Sequence, residues 1–322
     1  MLDPLLYRDS RELMLGNTAV LPGEAVKVNY LVGHLPSGTR MAIQMDVFRS
    51  TVPGPHVLII GGVHGDEING IELVRRLLEQ NLMSKLTKGT VMIIPLLNVY
   101  GFINFSRDVP DGKDVNRSFP GTSGGSLASR VARVLTKNLI PHTDVIIDCH
   151  TGSHQLFNYP QIRVTKGDDT SYELAKAFNP PFIFQRSALR GSLRKTAFQS
   201  MKPCLIYEGG EAARLDGFSI ARGIAGIQRT LHKLDMLAEA PSTVELPVEL
   251  DHASWIRASV AGLFLWSKNS GKRIFKGEPI GSIGDLFGMK KKVVEASRDG
   301  YIIGHTNAPV VNLGDALFHI GF

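Results

Sequence analysis

The sequence predicts an α/β protein, a mixed and mostly parallel sheet sandwiched by helices, followed by a small C-terminal all-β domain. Three observations predict it. The apolar runs Val57-Leu58-Ile59-Ile60, Val91 to Leu97 and Val145-Ile146-Ile147 have the character of strands buried on both faces. Between and after them, apolar residues recur at helical spacing. Past residue 242 the helical pattern stops, and short apolar patches punctuated by glycine run to Phe322.

From Ala25 to Val47, short extended patches broken by Gly33, Pro36 and Gly38 read as a β-rich opening within residues 1–50. The run Val57 to Ile60 stops at Gly61-Gly62, and Ile68, Ile71, Val74, Leu77 and Leu78 then predict a helix over 69–82. Val91 to Leu97 is the next strand. Residues Asn98 to Gly121 show neither period and are rich in Asp, Asn, Gly, Pro and Arg, and loops of that length inside a compact domain are usually functional. A helix from Ser126 to Ile140 leads to the strand at Val145. A short strand, Leu205-Ile206-Tyr207, and a long helix from Asp216 to Ala238 close the unit. Ala240-Pro241-Ser242 reads as a linker between a unit spanning 1–240 and an all-β unit spanning 244–322.

Composition narrows the function classes. With 43% apolar and 20% charged residues in 322, the chain can bury a proper core, which excludes general disorder. No run approaches the roughly 18 apolar residues of a spanning helix, so no membrane is expected. The start MLDPLLYRDSRELM lacks a basic segment and a long apolar stretch, and the expected compartment is the cytoplasm. Cys149 and Cys204, the two cysteines, are expected as reduced buried thiols. The net charge of +6 comes from basic residues that are scattered apart from Lys290-Lys291-Lys292, without aromatic interleaving. That pattern argues against nucleic acid and suits a small anionic substrate. Self-association is left open.

His64-Gly65-Asp66-Glu67 follows directly on a buried strand, where open α/β folds place their ligands. A His and a Glu three apart on a turn can aim at one ion. Asp148-Cys149-His150-Thr151-Gly152 ends another buried strand, so His150 reaches the same rim. Two His and one Glu with an open fourth position form the ligand set of a catalytic zinc site. Asp148 shares a strand face with His150 and either fixes the imidazole tautomer or is held by backbone amides.

GGVHGDEINGIE, then Asn98 and Arg107, then DVNRSFPG, DCHTG and YEGGE, in that order, resemble the succinylglutamate desuccinylase/aspartoacylase family, a branch of the zinc carboxypeptidase-like fold. The resemblance covers residues 50 to 235. It implies one zinc ion per chain on His64, Glu67 and His150, and a general base and acid at Glu208. It further implies an oxyanion-stabilising Arg107, a substrate-carboxylate site at Asn116 and Arg117, and another carboxylate-binding arginine at Arg194. The segment from Trp255 onward is similar to the β domain of the family's longer members.

The chemistry of these residue types agrees. Amide hydrolysis needs a nucleophile at neutral pH and a carboxylate beside it that takes a proton and later returns one to the leaving amine. Glu208 fits that task, with Glu211 as a nearby competitor. A guanidinium at Arg107 suits the charge that collects on the carbonyl oxygen, and the amide and planar fork of Asn116-Arg117 suit a carboxylate. The expectation is a zinc-dependent deacylase of a small anionic N-acylated substrate. A metallocarboxypeptidase acting on peptide C-termini and a non-catalytic ligand-binding module are the alternatives.

Overall fold

The computed structural model describes residues 13–34, 37–243 and 245–322, so the expected break at Pro36 and the reading of residues 1–12 lie outside the described residues. A ribbon of β1 (Leu13–Leu15) and β2 (Thr18–Val20) precedes two long antiparallel strands, β3 (Ala25–His34) and β4 (Arg40–Arg49). Then come β5 (His56–Gly61), α1 (Ile68–Glu79), β6 (Thr90–Ile94), α2 (Val99–Ile103), α3 (Leu127–Val134) and β7 (Val145–Gly152). They are followed by β8 (Leu156–Thr165), α4 (Asp169–Phe178), β9 (Phe182–Arg186), α5 (Leu193–Gln199), β10 (Cys204–Glu211) and α6 (Gly217–Lys233).

Strands β6, β5, β7 and β10 lie side by side and run parallel. Antiparallel strands extend the sheet on both sides, β4 and β3 beyond β6, and β8 beyond β10. The apolar runs are explained by cover on both faces. Along β5, Val57 and Ile59 join the core under α1, α4 and α6, whereas Leu58 and Ile60 join the opposite core under α3 and α5. Each such side chain, fully buried, stabilises the fold by about 1.5–3 kcal/mol.

The two-residue alternation of β7 and β10 sorts their side chains between these cores. Ile147, Cys149, Leu205 and Tyr207 face the first core, and Ile146 and Ile206 the second. Asp148, His150 and Glu208 continue the second row toward the carboxyl ends, where polar side chains replace apolar ones.

Several expected boundaries move. The strand expected at Leu205 to Tyr207 runs on to Glu211, and Glu208 lies inside it. The helix expected over Ser126 to Ile140 is α-helical to Val134, widens over Leu135–Leu139 and tightens at Ile140–His142, where Pro141 has no N–H to carry it further. The loop expected over Asn98 to Gly121 contains α2 and a single turn at Val115–Arg117.

The C-terminal strands are β11 (Val248–Leu250), β12 (Ala253–Arg257), β13 (Gly262–Trp266), β14 (Arg273–Ile274), β15 (Pro279–Gly284), β16 (Lys291–Glu295), β17 (Gly300–Thr306), β18 (Val310–Val311) and β19 (Ala316–Gly321). From β12 onward they enclose a core of their own around Phe264, Ile283 and Phe318, whereas β11 pairs with β9 and packs Leu250 against Phe182 and Phe184. Strand β17 also pairs with β8, and β19 and β12 follow, so the large sheet continues without a break from the parallel strands into this segment. Asn307 fastens the junction. Its backbone N–H donates to the Gln155 carbonyl, its Nδ2 to Glu211, and its Oδ1 accepts from Trp266. Among the described residues, no helix is long and apolar enough to cross a membrane.

Candidate active site

The turn after β5 carries His64 and Glu67, with Glu67 immediately ahead of α1. Strand β7 delivers His150 from the other side. One donor atom from each of these three buried residues lies within 4.8 Å of the others. His64 Nδ1 is 2.6 Å from Glu67 Oε1, His150 Nδ1 is 2.8 Å from Glu67 Oε2, and the ring centroids are 4.9 Å apart. The outer nitrogens are held as well: His150 Nε2 lies 2.8 Å from Asp148 Oδ2, and His64 Nε2 lies 3.2 Å from Asp114 Oδ1. Both imidazoles are thus clamped by carboxylates, the arrangement that orients metal-binding histidines.

The triad is strongly coupled electrostatically. Burial opposes ionisation of Glu67, but the His64 and His150 charges outweigh it and hold the carboxyl well below its ordinary value. Burial likewise opposes the imidazolium of His150, yet Asp148 and then Glu67 raise it well above the usual histidine value. The side chains thus hold one another in their charged forms, and a metal would take the place of the imidazolium protons. Two nitrogens and one carboxylate oxygen form a donor set that suits zinc and related divalent ions, so the residues present fit the metal that the motifs imply.

Close backbone approach builds this corner. At Gly65 a Cβ would fall inside the shells of the Gly101 carbonyl carbon and the Phe102 nitrogen, so α2 sits directly on the His64 turn. Gly65 N–H donates to the Ser106 carbonyl at 3.1 Å. Gly65→Ala should push these backbones apart. We expect a loss of metal affinity of at least tenfold, together with destabilisation of about 2 kcal/mol, within the range of overpacking. Metal titration and thermal melts of the variant would check this, and wild-type values in both would refute the backbone argument.

Arg107 is placed beside the triad. Nη1 lies 3.1 Å from Glu67 Oε1, and Nε and Nη2 donate to Asp114 Oδ2 at 3.2 and 2.9 Å. Asn98 caps α2 by accepting from Gly101 N, and its Nδ2 donates to the Arg107 carbonyl, which fixes the loop carrying the guanidinium. Asn116 Oδ1 accepts from Leu193 N at the start of α5, leaving its amide Nδ2 for a ligand. The Arg117 side chain is half exposed and lines the same cleft.

Glu208 lies beside the triad, in direct register with His150 on the neighbouring strand β7. Its Oε2 accepts from Asn158 Nδ2 at 2.9 Å, and its Oε1 lies 3.0 Å from Arg163 Nη1. Glu211, the competitor, is turned to Asn307 and Arg214. Arg194 also lines the cleft, but Nη1 donates to the Val164 carbonyl at 2.9 Å and Nη2 to that of Ser187 at 3.2 Å. Reading a substrate carboxylate would compete with these backbone bonds.

The cleft enclosed by these groups holds about 340 Å³. Five residues escape the sequence reading: Asp114, Asn158, Arg163, Trp255 and His319. Asp114 opens the DVNRSFPG motif and was legible there. Asn158 and Arg163 lie on β8, a strand with no apolar alternation to announce it. Trp255 and His319 come from the C-terminal strands, which pairing of β17 with β8 and of β11 with β9 brings to the cleft. His154 stands exposed in the turn after β7.

The model of the succinylglutamate desuccinylase/aspartoacylase catalytic domain matches residues 53–234. The N-alpha-acetyl-L-2,4-diaminobutyric acid deacetylase of Halomonas elongata is 28% identical over 278 residues, covering 82% of this chain and 81% of that protein. A succinylglutamate desuccinylase/aspartoacylase from Rhodobacter sphaeroides superposes with a TM-score of 0.83 at 23% identity, covering 97% of this chain and 99% of that one. The product-bound ectoine utilization protein of Ruegeria pomeroyi superposes with a TM-score of 0.82 at 22% identity, covering 94% and 97%. At these identities the two superpositions speak for the fold alone.

Proposed function

This chain belongs to the succinylglutamate desuccinylase/aspartoacylase family, and from that premise we propose that it is a zinc-dependent hydrolase removing the acyl group from a small anionic N-acyl amino acid or related N-acylated amine. The observation that carries the reading is the convergence of His64, Glu67 and His150, buried and mutually within 4.8 Å, with a buried Glu208 in register on the strand next to His150.

Those three residues would hold the ion, with Asp114 and Asp148 fixing the two imidazoles. When bound, the ion supplies Lewis acidity to the amide carbonyl and lowers the pKa of a water from 15.7 to about 7. Glu208 takes a proton from the attacking water on Oε1 or Oε2 and returns it to the leaving nitrogen, without which the amine departs poorly. Arg107 places Nη1 beside the triad, where it meets the charge developing on the carbonyl oxygen. Asn116 Nδ2 and the Arg117 fork hold a carboxylate of the substrate and so orient the scissile bond.

The test is a hydrolysis screen on purified protein with elemental analysis in parallel. We expect about one zinc per chain and release of free acid from N-acyl amino acids. Chelator should abolish turnover and zinc should restore it. Cleavage of blocked peptides instead would indicate a carboxypeptidase, and metal-bound protein inert toward both classes would overturn the reading.

A further inference from the structure

Where β8 and β9 meet α6 and β17 lies a cavity of about 250 Å³ that shares no lining residue with the main cleft. Pro180, Pro181 and Phe182 supply an apolar wall, and the rings of Tyr159 and Tyr301 stand 5.8 and 5.5 Å from that of Phe182. At Gly271 a Cβ would fall 2.5 Å from the Tyr159 ring, so the loop ahead of β14 presses on that ring and holds it in the wall.

Two unpaired charges line the same space. The Arg222 guanidinium, on α6, lies 5.3 Å from the Phe218 ring centroid and has no hydrogen bond or ion pair among the described residues. Asn179 Nδ2 donates to the Glu245 carbonyl at 2.9 Å, which anchors the backbone there, while the Glu245 carboxylate has no hydrogen bond or ion pair among the described residues. Both charges reach Tyr159. Burial raises its phenol above the ordinary value, Arg222 lowers it and Glu245 raises it again, so the hydroxyl stays protonated and can donate.

These groups define the occupant. The cavity falls below the roughly 300–1,000 Å³ of sites for drug-sized ligands, which calls for a small molecule. An anion would gain Arg222 but face Glu245, and a cation would gain Glu245 but face Arg222. A molecule carrying both charges satisfies both groups and avoids like-charge contact.

We propose that this cavity is a second, non-catalytic binding site, which takes a free α-amino acid as its zwitterion, with the carboxylate on Arg222, the ammonium on Glu245 and an aliphatic side chain against Pro180, Pro181 and Phe182. The choice of ligand follows from the charges in the cavity and stands apart from the deacylase reading, which adds that such a molecule is what the enzyme would release. Tyr159 is also next in the chain to Asn158, whose Nδ2 holds Glu208, so an occupant braces the strand that positions the proposed base.

The test is calorimetry on metal-loaded, full-length protein with L-leucine, L-leucinamide and 4-methylpentanoate. Leucine should bind at least about fivefold more tightly than either analogue, since each lacks one of the two charges. Arg222→Gln and Glu245→Gln should each weaken leucine at least about fivefold. Neither residue lines the main cleft, so kcat for an N-acetyl amino acid should stay at the wild-type level in both. Both side chains are at least partly exposed, so the variants should fold, which thermal melts check, and the analogue comparison needs no variant. No binding of leucine, leucine no tighter than its analogues, or an affinity unchanged in either variant, as binding in the main cleft would give, would overturn the site. Leucine binding that depends on Arg222, in a protein that hydrolyses no N-acyl substrate, would sustain the site while removing the deacylase reading.

Discussion

Glu208→Gln is expected to lower kcat by about 10²–10⁴ while zinc stays bound at the wild-type level. The amide is nearly isosteric with the carboxylate, and its oxygen can still accept from Asn158. It cannot take a proton from water or return one to nitrogen. None of the three residues proposed to hold the ion is altered, so elemental analysis should read about one ion per chain in both proteins. The lost ion pair with Arg163 complicates only the stability comparison, which a thermal melt measures directly. Turnover equal to wild type would remove Glu208 from the proton-transfer role and return attention to Glu211.

The second large effect is expected from His150→Ala. It removes one of three protein ligands, and the zinc content should fall from about one per chain to background, with activity lost alongside. Stability should suffer independently. Asp148 Oδ2 and Glu67 Oε2 both lose their imidazole partner, and Asp148 Oδ1 already has none. Breaking a buried ion pair from one side typically costs about 3–5 kcal/mol. Chemical denaturation of the metal-stripped wild type and variant isolates that cost, since neither then draws stability from a bound ion. A variant that retained stoichiometric zinc would show that His150 is not a ligand.

The two variants also test how the site is built. Glu208 and His150 are register partners on neighbouring parallel strands, one proposed for proton transfer and the other for the ion. If Glu208→Gln spares metal and His150→Ala abolishes it, the division of labour between the two neighbouring strands is established.

Much of this was legible in the sequence because it is local. Continuous apolar runs mean strands covered on both faces, and β5, β6, β7 and β10 lie at the runs that announced them. The HxxE turn and the strand-end histidine could be paired because both follow such runs, and parallel strands with crossover helices bring their carboxyl ends to one rim. Asp148 was readable from the two-residue period of a strand. The boundaries were less so: β10 continues past its apolar run as far as Glu211, since nothing in Glu208-Gly209-Gly210 signals that pairing with β7 and β8 persists.

The sequence by itself determined the fold class and brought His64, Glu67 and His150 to one rim, because those depend on periodicity and on short motifs at strand ends, whereas the roles proposed for Glu208 and Arg107 came through the family resemblance. Tertiary structure alone decided what surrounds these residues. The clamp of Asp114 on His64, the grip of Arg163 and Asn158 on Glu208, and the Trp255–His319 stack depend on pairings between segments far apart in the chain. A register such as β17 on β8 is set by the shapes and hydrogen bonds of both partners together, and neither strand carries that information alone.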